Sequence, residues 1–318
     1  MGDRTIEYEC AKALWNDLSP TSETVPGFFR GESTPIYRGQ ADANWDLLPS
    51  FLRGIDSKES DLPVWLKFFG RKVRADELIF NELTILDKFA SYCDYAGIKI
   101  PNDSTAFRES VVSPQATIQN VYYKNPEKWP NEKLFELMAL AQHHGAPTRL
   151  LDWTYQSYVA LYFAVSSALK NKNKWDEDSK IAIWIFNSTS IGCYRKNLHF
   201  IKVPSSTSKN LPSQNGAFTT LRHDYFRSSG FEVRRFENEV SELDLVKLTI
   251  STKKVHELYS FCQKMRITAA TMYPSADGVG RAVIEDMMAT SDTAAPLYHQ
   301  DGVGIMEDME VTSDTSTQ

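Results

Sequence analysis

An α+β fold with a helical N-terminal half is the class that the order of apolar patterns in this chain predicts. Two early segments, 74–93 and 132–144, repeat apolar residues at helical spacing. Short apolar or alternating runs that suit strands come later, at 181–186, 217–221 and 245–250. Helices grouped ahead of strands indicate α+β rather than repeated βαβ units.

The helices have sequence signals at their ends. Segment 132–144 follows Pro130 and Asn131, which suit a helix start, and Gly145 suits the position after its last turn. Segment 155–170 is apolar on most sides, which predicts a buried helix, and Asp152 or Thr154 could cap it. Ser251 is expected to cap a further helix that follows the strand LVKLTI.

The composition predicts a cytoplasmic, globular protein. Hydrophobic residues make up 42% of the 318-residue chain, and no window approaches the roughly 18 apolar residues of a membrane span. The first ten residues, MGDRTIEYEC, contain no apolar signal core. The four cysteines form no CxxC pair, so we expect reduced thiols rather than disulfides or a zinc ribbon.

Charge divides the chain into two parts. All 35 basic residues and 33 of the 41 acidic residues lie in 1–284, whereas eight acidic residues and no Lys or Arg lie in 285–318. The second part also repeats the sequence of 277–293 in shortened form at 301–315. We therefore expect one domain over 1–284 and an acidic, flexible tail over 285–318.

The stretch YRGQ at 37–40 is the first candidate site. A strand over Ile36–Arg38 that ends at Gly39 would present the guanidinium of Arg38 to a phosphate or carboxylate. The alternative is a structural ion pair between Arg38 and a carboxylate such as Asp46. Phosphate-loop and dinucleotide-binding glycine motifs do not occur in the sequence.

The stretch AQHHGAPTRLLDWT at 141–154 is the second candidate site. His143 is a titratable group at a helix C-terminus, where it could act in chemistry or stabilise the helix end by its charge. Asp152 could be a helix cap or a site residue, and Trp153 is more typical of a core. Adjacent histidines point about 100° apart on a helix, so His143 and His144 do not predict a metal site.

These stretches resemble the successive signatures of the FRG domain family. The resemblance rests on YRGQ with NWDLLPSFLR, on AQHHGAPTRLLDWT with ALYFA, on QNGAF at 214–218 and on MYPSADGVG at 272–280. It runs over about residues 20–285, and it departs from the family at His144, where an aromatic residue is usual. FRG domains occur in bacterial and phage-encoded proteins, often in defence or toxin–antitoxin settings.

A weaker resemblance links YRGQ and YFA to the ADP-ribosyltransferase superfamily. It implies a mixed, split β-sheet, NAD as the substrate and a catalytic Glu in an ExE or QxE on a late strand. Glu239, in the sequence Glu237-Asn238-Glu239, and Gln214 are the candidates for that position. Cleavage of the nicotinamide–ribose bond passes through an oxocarbenium-like state that a carboxylate can stabilise.

The resemblances together imply an NAD-dependent ADP-ribosyltransferase that modifies RNA, DNA or protein as a toxin or anti-phage effector, with a possible cognate antitoxin as partner. The implied catalytic residues are His143, Asp152 and Glu239. The implied NAD-binding residues are Arg38, Gly39, Gln40, Arg149, Trp153 and Gln214. Two alternatives stay open: a non-enzymatic recognition module, and a metal-independent nuclease with His143 as its acid–base group.

Overall fold

The computed structural model describes residues 4–55, 63–66, 73–113, 125–194, 196–202, 214–222, 226 and 230–290. They form a seven-stranded mixed sheet with helices packed on it, which confirms the α+β class. The strands are β1 (Arg4–Tyr8), β2 (Pro35–Gln40), β3 (Leu151–Thr154), β4 (Lys180–Asn187), β5 (Leu198–Ile201), β6 (Gly216–Leu221) and β7 (Leu245–Ser251).

Six α-helices have seven or more residues among those that the structure describes. They are α1 (Ala11–Asp17), α2 (Ala75–Tyr95), α3 (Phe135–His143), α4 (Ser157–Lys170), α5 (Val255–Lys264) and α6 (Ala276–Thr290). Three shorter α-helical segments are Thr105–Phe107, Phe236–Glu239 and Ala269–Met272. No helix in the described ranges is both long and apolar enough to span a membrane.

The sheet is nearly divided in two. Its strand order is β1-β7-β4-β2-β3-β6-β5, with β1 and β7 parallel and the other neighbours antiparallel. Strands β2 and β4 pair along their whole length, but β2 and β3 pair only at Tyr37 and Thr154. The four-stranded half that ends in β2 therefore separates from the three-stranded half that begins with β3, and a space opens between them.

Helix α4 packs across β2 at very close range. A Cβ atom built on Gly39 would lie 1.9 Å from the carbonyl oxygen of Ala160 and 2.7 Å from the backbone nitrogen of Ala164. Only glycine fits at position 39 without moving the helix, because the contacting atoms belong to the backbone and cannot relieve the overlap by a change of rotamer. Apolar residues of α4 form the main core with β4, β7 and α5.

Several elements differ from the sequence prediction. The first half of the chain is not only helical, since β1, β2 and β3 all lie in it. LDWT forms β3, so Asp152 does not cap α4, whose N-cap is Gln156. Strand β2 continues through Gly39 to Gln40 instead of ending at the glycine. The predicted strands at 181–186, 217–221 and 245–250 are confirmed.

Helix α6 runs across the boundary expected at residue 284. Glu285 on this helix is buried, accepts a hydrogen bond of 2.8 Å from the Tyr162 hydroxyl and forms a 2.8 Å ion pair with Lys170. One of the eight acidic residues assigned to the tail is therefore part of the packed fold. Residues 291–318, with the second copy of the repeat, lie outside the described residues.

Candidate functional site

A cavity of about 260 Å³ lies where β2 and β3 separate. Residues from β2, β3 and β6 form its floor, and α3, α4 and the segment after Met272 form its walls. Six of the nine residues that the sequence implied for the site line it: Arg38, Gly39, His143, Asp152, Trp153 and Gln214. We call this space the first cavity.

An ion pair between Arg38 and Asp152 crosses the separation of the two strands. Arg38 Nη1 lies 2.8 Å from Asp152 Oδ1 and donates a 2.9 Å hydrogen bond to the Asp152 carbonyl oxygen. The guanidinium side chain is only 7% exposed, whereas the carboxylate side chain is 58% exposed. Arg38 Nε is buried and has no hydrogen-bond partner in the structure. The expected alternative partner, Asp46, pairs instead with Arg235.

The electrostatic surroundings keep Asp152 ionised. Burial acts to raise the pKa of its carboxyl group, but the charge and hydrogen bond of Arg38 outweigh burial, and the pKa lies below its ordinary value. Arg53 also interacts electrostatically with Asp152 and Arg38. The carboxylate is therefore negatively charged at neutral pH while it remains accessible from the cavity.

Two neighbours on α3 complete the polar side of the cavity. Gln142 Nε2 donates a 3.1 Å hydrogen bond to Asp152 Oδ1, and the Thr148 hydroxyl donates to Gln142 Oε1. His143 has its pKa lowered by burial and by the nearby positive groups of His144 and Arg281. Its imidazole is therefore neutral at pH 7 and can accept a proton.

Aromatic rings form the apolar side of the cavity. Tyr37, Phe163 and Tyr273 line it, and burial raises the pKa of Tyr37 to about 12, so its hydroxyl stays protonated. The expected ring, Trp153, borders the cavity, but its indole packs against Phe186 and Phe236 in the core. Its indole N–H donates to Thr219. Trp153 thus packs as a core residue, as is typical of tryptophan, and its ring is not free to stack on a ligand.

Gln40 and Arg149 do not reach the first cavity. Gln40 is buried, donates to the Asp46 carbonyl and accepts from the Trp184 indole, so its role is structural. Arg149 is 4% exposed and its Nε donates to Glu82, which is fully buried on α2. Neither residue is among the described residues that line the first cavity with Arg38, since their side chains are bonded elsewhere.

Glu239 also lies away from the first cavity. The expected late strand with its ExE is the short helix Phe236–Glu239, not a strand. The carboxylate of Glu239 forms an ion pair with Arg234, and Glu237 accepts from the backbone N–H of Leu47. Gln214, the other candidate, does line the cavity, and its Nε2 donates to the Met272 carbonyl at 3.3 Å. Asp152 is the carboxylate that the structure brings to the first cavity among its described lining residues.

Sequence reasoning missed nine of the fifteen described residues that line the cavity, and Tyr37, Gln142, Phe163 and Tyr273 are four of them. All four stand inside or beside the stretches singled out above, so their proximity in the chain was a usable signal. The sequence contained no signal for the direction in which these side chains point, because strand β3, which helps to form the cavity, was not predicted. In the described part of the chain no three His, Cys, Asp or Glu side chains are grouped as metal ligands.

Comparison with known proteins gives one result. No curated protein and no solved structure matches the chain. The model of the FRG domain matches residues 33–173, which include β2, α2, α3, β3 and α4, and with them Arg38, His143 and Asp152. The resemblance inferred from the motifs is thus confirmed for this part of the chain, which is similar to the FRG domain over residues 33–173.

Proposed function

We propose that the protein is an NAD-dependent ADP-ribosyltransferase whose reaction takes place in the first cavity. One observation carries the proposal: an ionised, accessible carboxylate, Asp152, is held beside a buried guanidinium that has an unpaired donor, Arg38 Nε. A negative charge next to a fixed donor suits a substrate whose ribose becomes positively charged while its phosphates stay negative.

The size of the cavity suits one half of NAD. Small-molecule sites usually enclose roughly 300–1,000 Å³, and about 260 Å³ is available here. The nicotinamide and its ribose would lie inside, against Tyr37, Phe163 and Tyr273, and the adenylate half would extend through the mouth. The separation of the sheet between β2 and β3 supports the split-sheet fold type that the weaker resemblance implied.

The proposed chemistry uses three side chains. Both described side-chain hydrogen bonds to Asp152 reach Oδ1, so Oδ2 is available to stabilise positive charge that develops on the ribose. The bond from ribose to nicotinamide breaks, neutral nicotinamide leaves, and a nucleophile of the target forms the new bond to the ribose. His143, neutral at pH 7, accepts the proton that the nucleophile loses. Arg38 holds a substrate oxygen through Nε.

The biological setting comes from the family resemblance alone. We propose a cytosolic toxin or defence effector that modifies RNA, DNA or protein and is held in check by a cognate antitoxin. A non-enzymatic recognition module is the second candidate. The observation that favours it is that Oδ1 of Asp152 already accepts from both Arg38 and Gln142, an arrangement that also suits ligand recognition without chemistry.

One experiment separates these functions. The purified protein is incubated with NAD labelled in its adenylate half and with cell extract, and the protein, RNA and DNA fractions are then separated. We expect label in one fraction, and none with the Arg38→Ala variant. Unchanged NAD, recovered after it has bound to the wild-type protein, would support recognition instead. Absence of both binding and consumption would contradict the proposal.

A further inference from the structure

A second cavity, of about 40 Å³, lies toward the other end of the β3–β6 pair. The first cavity borders the end where Thr154 pairs with Gly216, whereas the second borders Arg149, before β3, and Arg222, after β6. Arg234 lines it as well. Three arginine residues therefore line a space that shares no described lining residue with the first cavity.

Arg149 is held rigidly at this second cavity. Glu82 accepts hydrogen bonds from the Arg149 backbone N–H at 3.1 Å, from Arg149 Nε and from the Trp129 indole at 2.9 Å. The guanidinium also lies 5.5 Å from the centre of the Trp129 ring. With the group fixed in this way, Arg149 Nη2 is buried and has no hydrogen-bond partner among the described residues.

Arg222 contributes the second unpaired donor. Its Nε is buried with no partner in the described part of the chain, and its carbonyl oxygen accepts a 3.3 Å hydrogen bond from Arg234 Nη1. The charge of Arg222 also acts on His199, whose pKa is lowered to about 4, mainly by burial and then by Arg222. Two of the arginines that line this small space thus each keep a buried donor without a described partner, although buried polar groups are nearly always hydrogen-bonded.

We propose that the second cavity binds a phosphate group. Arginine N–H groups match the oxygens of a tetrahedral oxyanion. The volume has room for about three or four water molecules, at roughly 10–15 Å³ each, which is the scale of a single phosphate. Glu232 also lines the cavity. Its carboxylate can accept the proton of a protonated phosphate oxygen, whereas sulfate carries no such proton near neutral pH.

The test measures binding of inorganic phosphate to the full chain by calorimetry at constant ionic strength, with sulfate in parallel. We expect saturable phosphate binding and sulfate binding at least tenfold weaker. Arg222→Gln should weaken phosphate binding at least tenfold, and Glu232→Gln should reduce the preference over sulfate. Arg235→Gln is the matched control, since Arg235 pairs with Asp46 and does not line the cavity.

Arg222→Gln tests the proposal without disturbing the buried pair of Arg149 and Glu82. Absence of saturable phosphate binding, or binding that Arg222→Gln leaves unchanged, would overturn it. Adenosine monophosphate and adenosine identify the source of the phosphate. Binding of the monophosphate, but not of adenosine, in an Arg222-dependent manner indicates a nucleotide, whereas binding of inorganic phosphate alone indicates the free ion. Equal binding of adenosine would overturn the proposal.

Phosphate binding in the second cavity does not depend on the proposed NAD chemistry, and the Arg38→Ala variant distinguishes the two activities. This variant should leave phosphate binding unchanged even though we expect it to abolish transfer from NAD. Loss of phosphate binding in Arg38→Ala would assign the phosphate to the first cavity and overturn the second site. Failure of the NAD experiment alone would leave the second site standing.

Discussion

Two buried arginines contact carboxylates near β3, Arg38 at Asp152 within the strand and Arg149 at Glu82, and the two carboxylates differ in their exposure. Arg38 and Arg149 are 7% and 4% exposed, so the cations are equally hidden. The carboxylate of Asp152 is 58% exposed, whereas that of Glu82 is fully buried. The same pair of residue types is thus open to a ligand at Asp152 and closed at Glu82.

The difference in carboxylate exposure distinguishes a pair that borders a cavity from a pair that is enclosed in the core. The two carboxylate oxygens of Glu82 accept hydrogen bonds from three donors inside the protein, so this residue holds Arg149 against α2. Asp152 receives Arg38 and Gln142 on Oδ1, and its side chain is 58% exposed. An arginine–carboxylate pair is therefore informative about function through the exposure of its acid, not through the burial of its base.

Removal of the closed carboxylate should have the largest effect. Glu82→Ala leaves the buried guanidinium of Arg149 without its counter-charge, which costs about 3–5 kcal/mol in comparable buried pairs. We expect a loss of this size in the free energy of unfolding, measured by urea titration. Glu132→Ala, at a carboxylate that is 74% exposed, is the control and should change little. Equal stability of the two variants would contradict a supporting role for Glu82.

Change at the open pair should affect activity more than stability. Arg38→Lys keeps the positive charge but removes the Nε donor and the planar fork. We expect release of nicotinamide to fall about 100-fold, or close to 3 kcal/mol in the barrier, with a change of about 1 kcal/mol in unfolding free energy. An equal loss in both quantities would indicate that Arg38 is structural like Arg149.

A change beneath the first cavity should have a moderate effect. Gly39→Ala forces the backbone of α4 away from β2, because the new Cβ would overlap the Ala160 carbonyl. Overpacking of this kind costs about 1–3 kcal/mol, and we expect that loss in thermal unfolding. Gly192→Ala is the control, since no atom lies within 4 Å of a Cβ built there. Equal melting temperatures in the two variants would contradict the close packing of α4 on β2.

A pH titration should show the smallest effect, on the side of the second cavity. The pKa of His199 is lowered to about 4, so the folded protein binds this proton less tightly than the unfolded chain does. The contribution of His199 to the unfolding free energy is therefore fully present above pH 6.5, its ordinary pKa, and is lost as the pH falls toward 4. We expect a contribution of about 1 kcal/mol between roughly pH 6.5 and 5.5.

Substitution identifies the histidine responsible for that decline. His199→Gln should reduce the pH dependence of the unfolding free energy. The same decline in wild type and His199→Gln would assign the proton uptake to another group.

The sequence predicts more of the fold than of the site. Long periodic segments such as α2 and α4, and the apolar strand β4, follow from side-chain patterns that local geometry imposes. Strand β3 has four residues and lies between signals for a helix end and a helix start, so its pattern favoured a cap at Asp152. A short strand is fixed by its neighbours, β6 above all, and these are not local in the chain.

Site residues divide in the same way. Arg38, His143 and Asp152 were identified because YRGQ and AQHHGAPTRLLDWT concentrate polar groups and carry the FRG signatures. The same stretches also contain Gln40 and Arg149, which the fold directs to Trp184 and Glu82. Gln40 lies two residues after Arg38 on the same face of β2, and Arg149 precedes β3, so only their contacts with residues distant in the chain determine that they do not reach the first cavity.

The release of nicotinamide from NAD by the Asp152→Asn variant tests the central claim most directly. The amide keeps an oxygen for Arg38 and Gln142, so we expect a folded protein whose unfolding free energy lies within about 1 kcal/mol of the wild type. Without the negative charge, the rate should fall about 100- to 1,000-fold, while the Arg235→Gln control keeps the wild-type rate. A wild-type rate in folded Asp152→Asn would contradict the role of the open carboxylate.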